Sequence, residues 1–269
     1  MGWHDRADFE DPLGHQAPCR SVAGVRRASS FERSDTLAPV SRFSPRREAG
    51  LVFAAYSLYL VVGRLALRGG GRRRAVRNAE RIVALEARLG LDVEPSLQRA
   101  LLRRPRLVHG LNAGYALFNV TLTLGWLAFL FRRRDERYHG FRHACLLAYL
   151  GAQPVFLLLP TAPPRALRGF VDTLAEISGV DLEHPLLVRF YNPIAAMPSL
   201  HVAFAVLMAG EIAERTSSVA LGAAARAYAP AVAVVVAGTG NHYVLDALAG
   251  AALGAAARRV AGLSDLATT

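Results

Sequence analysis

Six apolar stretches set the terms for this chain: residues 51–67, 110–131, 143–160, 194–212, 219–237 and 243–257. Each is about as long as a bilayer crossing requires, and polar or basic residues stand at their edges. Inside hydrocarbon no water satisfies backbone N–H and C=O groups, so a crossing segment must be a helix or part of a closed barrel. The runs lack strict alternation, which points to helices. With 52% hydrophobic and 20% charged residues, the chain is too apolar for an ordinary soluble domain. The expected fold is therefore all-α: a polytopic bundle of six transmembrane helices at 50–262, after a disordered basic tail at 1–49 and before a short C-terminal tail at 263–269.

The runs differ in detail. The first is just long enough to span, with Arg64 snorkelling near its end. The second carries Asn112, Tyr115 and Asn119, which at that depth either line a substrate path or hydrogen-bond between helices. The third ends in Pro160-Thr161-Ala162-Pro163-Pro164-Arg165, where proline stops the helix. Arg226 weakens the fifth, so its helix is expected to start near Tyr228. Residues 78–91 form a different pattern: Ile82, Leu85 and Leu89 recur at helical spacing beside Val83, with Glu80, Arg81, Glu86 and Arg88 interleaved. That is an amphipathic helix lying on the bilayer surface or capping the bundle.

The net charge of +11 comes from arginine alone, and the chain contains no lysine. These arginines sit beside apolar runs, which suits anionic lipid headgroups better than nucleic acid. The basic clusters at 132–142 and 258–259 lie on one face, opposite the candidate site. By the positive-inside rule that face is cytoplasmic and the site looks outward; the basic segment 68–106 argues the other way. The expected location is the plasma membrane, with membrane lipids as neighbours, and a bundle of this kind also admits a homo-oligomer. Cys19 and Cys145 make neither a disulfide framework nor a zinc site.

Two short stretches carry the chemistry. Asp246 stands one turn inside an apolar run, where a carboxylate costs about 2.5–3.5 kcal/mol on insertion scales. His242 is four residues earlier, on the same helical face. The carboxylate can accept from one imidazole nitrogen and leave the other nucleophilic. His201 begins the fourth run between Leu200 and Val202; a packed structural histidine is the alternative. Both histidines are expected at helix N-termini, whose free amides favour an anion. Arg165 can clamp phosphate oxygens or merely anchor in headgroups, and Asn241 stands next to His242 as a further candidate contact. Ser199, after Pro198, is also an ordinary helix start. A metal fits poorly, because Asp246 is the one carboxylate in the cluster and is committed to His242; no cofactor is expected.

Pro198-Ser199-Leu200-His201 and His242-x-x-x-Asp246 resemble the second and third signature motifs of the phosphatidic acid phosphatase type 2 superfamily. Leucine before the histidine, the Gly240-Asn241-His242-Tyr243 wording and the 160–165 segment are similar to its inositol phosphorylceramide synthase-like branch. The resemblance covers roughly residues 75–257. It implies a metal-independent enzyme, a lipid phosphatase or an inositolphosphotransferase, acting on a lipid phosphate through a phosphohistidine. By that resemblance His242 is the nucleophile, Asp246 its orienting carboxylate and His201 the general acid and base, while Ser199 and Arg165 bind phosphate. The hydrolase pattern also has a lysine and an arginine that here fall on Leu158 and Val236. A degenerate lipid-phosphate-binding protein is the alternative.

Overall fold

A computed structural model describes residues 43–115 and 119–263, apart from the Asn119 side chain. The expected tail up to residue 42, Cys19, the Asn119 side chain and residues 264–269 lie outside the described residues. The chain divides into the units Met1–Val40 and Ser41–Thr269, and the described residues belong to the second. Among them the regular elements are helical: α1 (Pro45–Leu67), α2 (Gly71–Leu89), α3 (Glu94–Leu102), α4 (Pro105–Ala113), α5 (Asn119–Arg133), α6 (Tyr138–Leu158), α7 (Thr173–Ser178), α8 (Leu200–Arg215), α9 (Val219–Gly238) and α10 (Val244–Val260). A single isolated bridge joins Thr161 to Ala195 among these residues. Helix α1 starts at Pro45, inside the segment expected to be tail; proline at a first helical position costs no backbone bond.

Among the described residues three helices, α1, α6 and α9, are long and apolar enough to cross a membrane. Helices α5, α8 and α10 have 15, 16 and 17 residues, against the roughly 20 that a 30 Å hydrocarbon layer asks for. Of the run 110–131 the described residues are 110–115, at the end of α4, and 119–131, in α5, and one other expected span is shortened for a local reason. The run 194–212 becomes helical only at Leu200, because Pro193 and Pro198 remove donors and Ser199 caps the helix by accepting from Val202 N at 3.4 Å. The fifth run does the opposite of what Arg226 suggested. Its helix starts at Val219, capped by Ser218, and the exposed Arg226 leaves it unbroken.

Helix α2 begins earlier than the amphipathic pattern indicated and turns a different stripe inward. Ala75, Ala79, Ile82 and Glu86 are buried, while Leu85 and Leu89 are exposed. The face it covers is narrow and takes small side chains: Ala75 O accepts from Ala162 N at 3.2 Å, and Asn78 donates to Pro160 O at 2.8 Å. Helix α2 thus caps the end of the bundle where the candidate site lies.

Helix α8 is the axis of the bundle, packed on α5, α6, α9 and α10. Close approach of α10 rests on Gly250 and Gly254. A Cβ at Gly250 would stand 2.2 Å from the Ser199 carbonyl oxygen, and one at Gly254 would stand 2.7 Å from that of Ala203. This small-xxx-small spacing lets backbones meet where lipid supplies no hydrophobic drive between helices. At the far end of α8, Glu214 binds both Arg137 and Arg258, and Glu211 lies 3.3 Å from both Arg137 and Arg215. Buried charges persist there because each has a partner of opposite sign.

Gly250→Ala should therefore cost about 1–3 kcal/mol by overpacking against backbone. A thermal-unfolding scan in detergent checks it. Gly125→Ala, where a Cβ meets nothing within 4 Å among the described residues, should be neutral or slightly stabilising.

Candidate active site

The chain brings its three chemical stretches to one place by backbone pairing. Thr161 N donates to Ile194 O at 2.9 Å and Ala196 N to Thr161 O at 3.1 Å, which holds 160–165 beside 192–199. Arg165 N donates to Gly240 O at 2.9 Å, which adds the turn before α10. Gly240 has φ +75°, where an L side chain is strained. Ser199 N donates to Asp246 O at 3.0 Å, joining the starts of α8 and α10.

The two imidazoles meet. The ring centroids of His201 and His242 are 5.6 Å apart. Tyr115 stacks on His201 at 4.3 Å and stands edge-on to His242 at 6.4 Å. Both histidines line a cleft of about 90 Å³, with Tyr59, Tyr115, Tyr191 and Asn241. Tyr59, Tyr115, Tyr191 and His201 also border an apolar cavity of about 360 Å³ that reaches Leu174, Leu182 and Phe204.

His242 Nδ1 lies 2.8 Å from the Ala196 carbonyl oxygen. A carbonyl only accepts, so Nδ1 carries the hydrogen and Nε2 keeps a lone pair. Burial holds this imidazole far below its ordinary range, to about 3, and the nearby Arg165 charge acts in the same direction. The ring is therefore neutral at pH 7, as a nucleophile must be. Asp246 is 3.4 Å from the same Nδ1, on the expected side. Its Oδ2 accepts from Tyr243 N at 3.2 Å, so helix capping draws the carboxylate toward the helix end while Ala196 takes the imidazole proton.

Arg165 is buried and donates to Asn241 Oδ1 and, at 3.2 Å, to Tyr191 OH; Asp172 lies 3.5 Å from its Nε. It thus backs the cleft through Asn241 and Tyr191. Asn241 also donates to Thr239 Oγ1 at 2.8 Å. Ser199 is fully buried and its oxygen serves the α8 cap. Leu158 is 81% exposed and Val236 packs in the core, so neither position brings charge to the cleft. Asn112 turns out to be a structural tie, donating to Thr173 O at 2.7 Å and accepting from Thr173 Oγ1 at 3.0 Å.

One expectation about helix ends is overturned. The α10 terminus does not offer its amides to an anion. Tyr243 N is taken by Asp246, Val244 N by Glu94 at 2.7 Å and Leu245 N by Glu86 at 2.7 Å. Residues the sequence did not single out for the site are Tyr59, Tyr191, Asp172, Glu86 and Glu94. For Glu86 a signal existed: it falls in phase with Ala75, Ala79 and Ile82, on the inward stripe of α2.

Two imidazoles and an amide backed by Arg165 thus share one cleft of the helical bundle. The family profile described as the PAP2 superfamily matches residues 80–260, and the chain belongs to that superfamily. No curated protein and no solved structure gives a match to the chain. Membership suggests a phosphatase-type activity on lipid phosphates, from an enzyme of the phosphatase or phosphotransferase class, and agrees with the membrane-crossing length of α1, α6 and α9.

The Arg165 fork contacts two different partners, and lysine offers only a point charge. Arg165→Lys should weaken binding of inorganic vanadate about tenfold, which isothermal titration in detergent measures.

Proposed function

We propose that this protein is a metal-independent lipid phosphatase or phosphotransferase of the inositol phosphorylceramide synthase-like kind. It works through a phosphohistidine on a lipid phosphate or phosphodiester. The observation that carries this is the 5.6 Å approach of His201 and His242 across one cleft. In the proposed reaction the Nε2 lone pair of His242 attacks phosphorus, and the bond from phosphorus to the leaving alkoxide breaks. A bound phosphate anion beside His201 favours its imidazolium form, which gives its proton to the leaving oxygen. The neutral His201 then takes a proton from water or from an alcohol such as inositol, whose oxygen displaces His242. Water gives hydrolysis and an alcohol gives transfer.

Asp246, 3.4 Å from Nδ1, supplies negative charge to the imidazolium-like phosphohistidine. Arg165, through its own charge and through Asn241, neutralises phosphate, and Ser199 can still donate its hydroxyl hydrogen while its oxygen accepts. The apolar cavity against Tyr115 and His201 suits a lipid tail. We read the bundle as six spans, with α5, α8 and α10 completed by the residues that flank them. Its cleft opens at the extracytoplasmic face of the plasma membrane.

A second reading has a specific observation in its favour. Leu158 and Val236 bring no charge, and Asp172 offsets part of the Arg165 charge. A degenerate site would bind lipid phosphate without turnover.

The test is turnover of radiolabelled phosphatidic acid, polyprenyl pyrophosphate and a phosphatidylinositol–acceptor pair, in detergent with EDTA. Wild type should form an acid-labile labelled protein and release or transfer phosphate. His242→Ala should carry no label and lose about 10³-fold or more in rate. Equal rates in the two proteins contradict the mechanism, and binding without turnover in wild type selects the second reading.

A further inference from the structure

Helix α10 carries an unusual cap. Its N-cap residue is Tyr243, whose hydroxyl donates to Ala162 O at 3.1 Å and so does not cap the helix amides. The amides of Val244 and Leu245 are instead accepted, each at 2.7 Å, by Glu94 from α3 and Glu86 from α2. These carboxylates are 2% and 1% exposed. A helix end is ordinarily satisfied by a nearby Ser, Thr, Asp or Asn, at no burial cost. Burying two acids from distant segments is expensive, and an ordinary cap would have served stability as well. What the distant acids add is location. They tie the first turn of α10 to α2 and α3, and His242 sits two residues before that turn.

We propose that Glu86 and Glu94 are positioning residues for His242, sharing one proton between them and fixing the first turn of α10 so that the imidazole is aimed into the cleft. This rests on the function proposed above and deepens it. The shared proton follows from their placement: two buried carboxyl groups accept from successive amides of one turn, where burial and mutual repulsion disfavour a second charge. The proton leaves both outer oxygens free to accept the α10 amides. Without it, two adjacent anions would repel and the turn would shift. A displacement near 1 Å at a reacting group costs about a hundredfold in rate.

The groups facing this pair are Asp246 and Tyr243 on α10, with Arg165 from the turn Pro164–Ala166 acting on Tyr243. Burial first, and then the neighbouring Glu94 and Asp246, push the Glu86 carboxyl up to about 8. The sign of the linkage follows. The folded protein keeps a proton that the unfolded chain has lost, so the contribution to stability is full below the ordinary glutamate range and declines as pH rises through about 8.

The experiment compares wild type with Glu86→Ala, Glu94→Ala, Glu86→Gln and Glu94→Gln as full-length protein in detergent. It measures kcat and KM on the lipid panel above and Tm across pH 5–10. A glutamine accepts the amide and donates to the remaining acid without needing the shared proton. The alanine variants should lose about tenfold or more in kcat with KM within about threefold. Glu86→Gln should recover most of that loss at pH 7. It should also move the alkaline limb of kcat upward by about one pH unit and flatten the fall in Tm toward pH 8. Alanine variants with wild-type kcat overturn the proposal, as do glutamine variants whose pH profiles match wild type. If an alanine variant does not fold, the glutamine pH profiles decide. If wild type turns over nothing on the panel, the proposed function fails by itself and the Tm profiles judge the pair. A wild-type fall that Glu86→Gln removes supports the shared-proton cap, and identical profiles reject it.

Discussion

The hydrogen bond from His242 Nδ1 to the Ala196 carbonyl holds the site together. It crosses 46 residues of sequence and joins the segment before α8 to the turn before α10. By claiming the Nδ1 hydrogen it fixes the tautomer and leaves Nε2 with the lone pair that the proposed reaction uses. The nearby elements serve this contact. Ser199 N ties to Asp246 O, Gly250 lets α10 approach the Ser199 carbonyl, and Thr161 pairs with Ile194 and Ala196. The cleft is rigid because its walls are backbone as much as side chain.

The two ends of the bundle use buried charge in different ways. At the end away from the cleft, Glu211, Glu214, Arg137, Arg215 and Arg258 neutralise one another in a network of ion pairs. At the cleft end, Glu86, Glu94 and Asp246 meet the amides at the start of α10. The acids thereby occupy the very donors that might have bound an anion. In the proposed reaction, positive charge for a substrate phosphate is left to Arg165, which contacts Asn241 and Tyr191. A cleft with a single guanidinium behind it suits a singly charged phosphodiester better than a dianion, which is why transfer is kept beside hydrolysis in the proposed reaction.

Much of this was legible in the sequence because its causes are local. Apolar runs dictate helices in any low-dielectric setting, and His242 and Asp246 share a face because four residues make about one turn. Asp246 inside such a run needed a partner, which pointed to His242, and the motif resemblance joined His201 and Arg165 to that pair. The lost detail depended on distant chain. The proton of His242 goes to a carbonyl 46 residues away rather than to the carboxylate one turn on, since Asp246 is drawn to its own helix end. The inward face of α2 is set by the narrow surface it covers, so Ala75 and Glu86 are buried where Leu85 and Leu89 were expected. Prolines 193 and 198 shorten the fourth run, and among the described residues length alone supports three crossings. Arg226 looked disruptive in one dimension yet projects outward from an intact α9.

The most direct test of the central claim is an experimental structure of the full chain with vanadate bound. The account predicts vanadium bonded to His242 Nε2, with His201 on the opposite side of the anion, Asn241 and Arg165 along its edge, and Nδ1 still facing the Ala196 carbonyl. Vanadate seated elsewhere, or His201 and His242 opening onto separate surfaces, would contradict it.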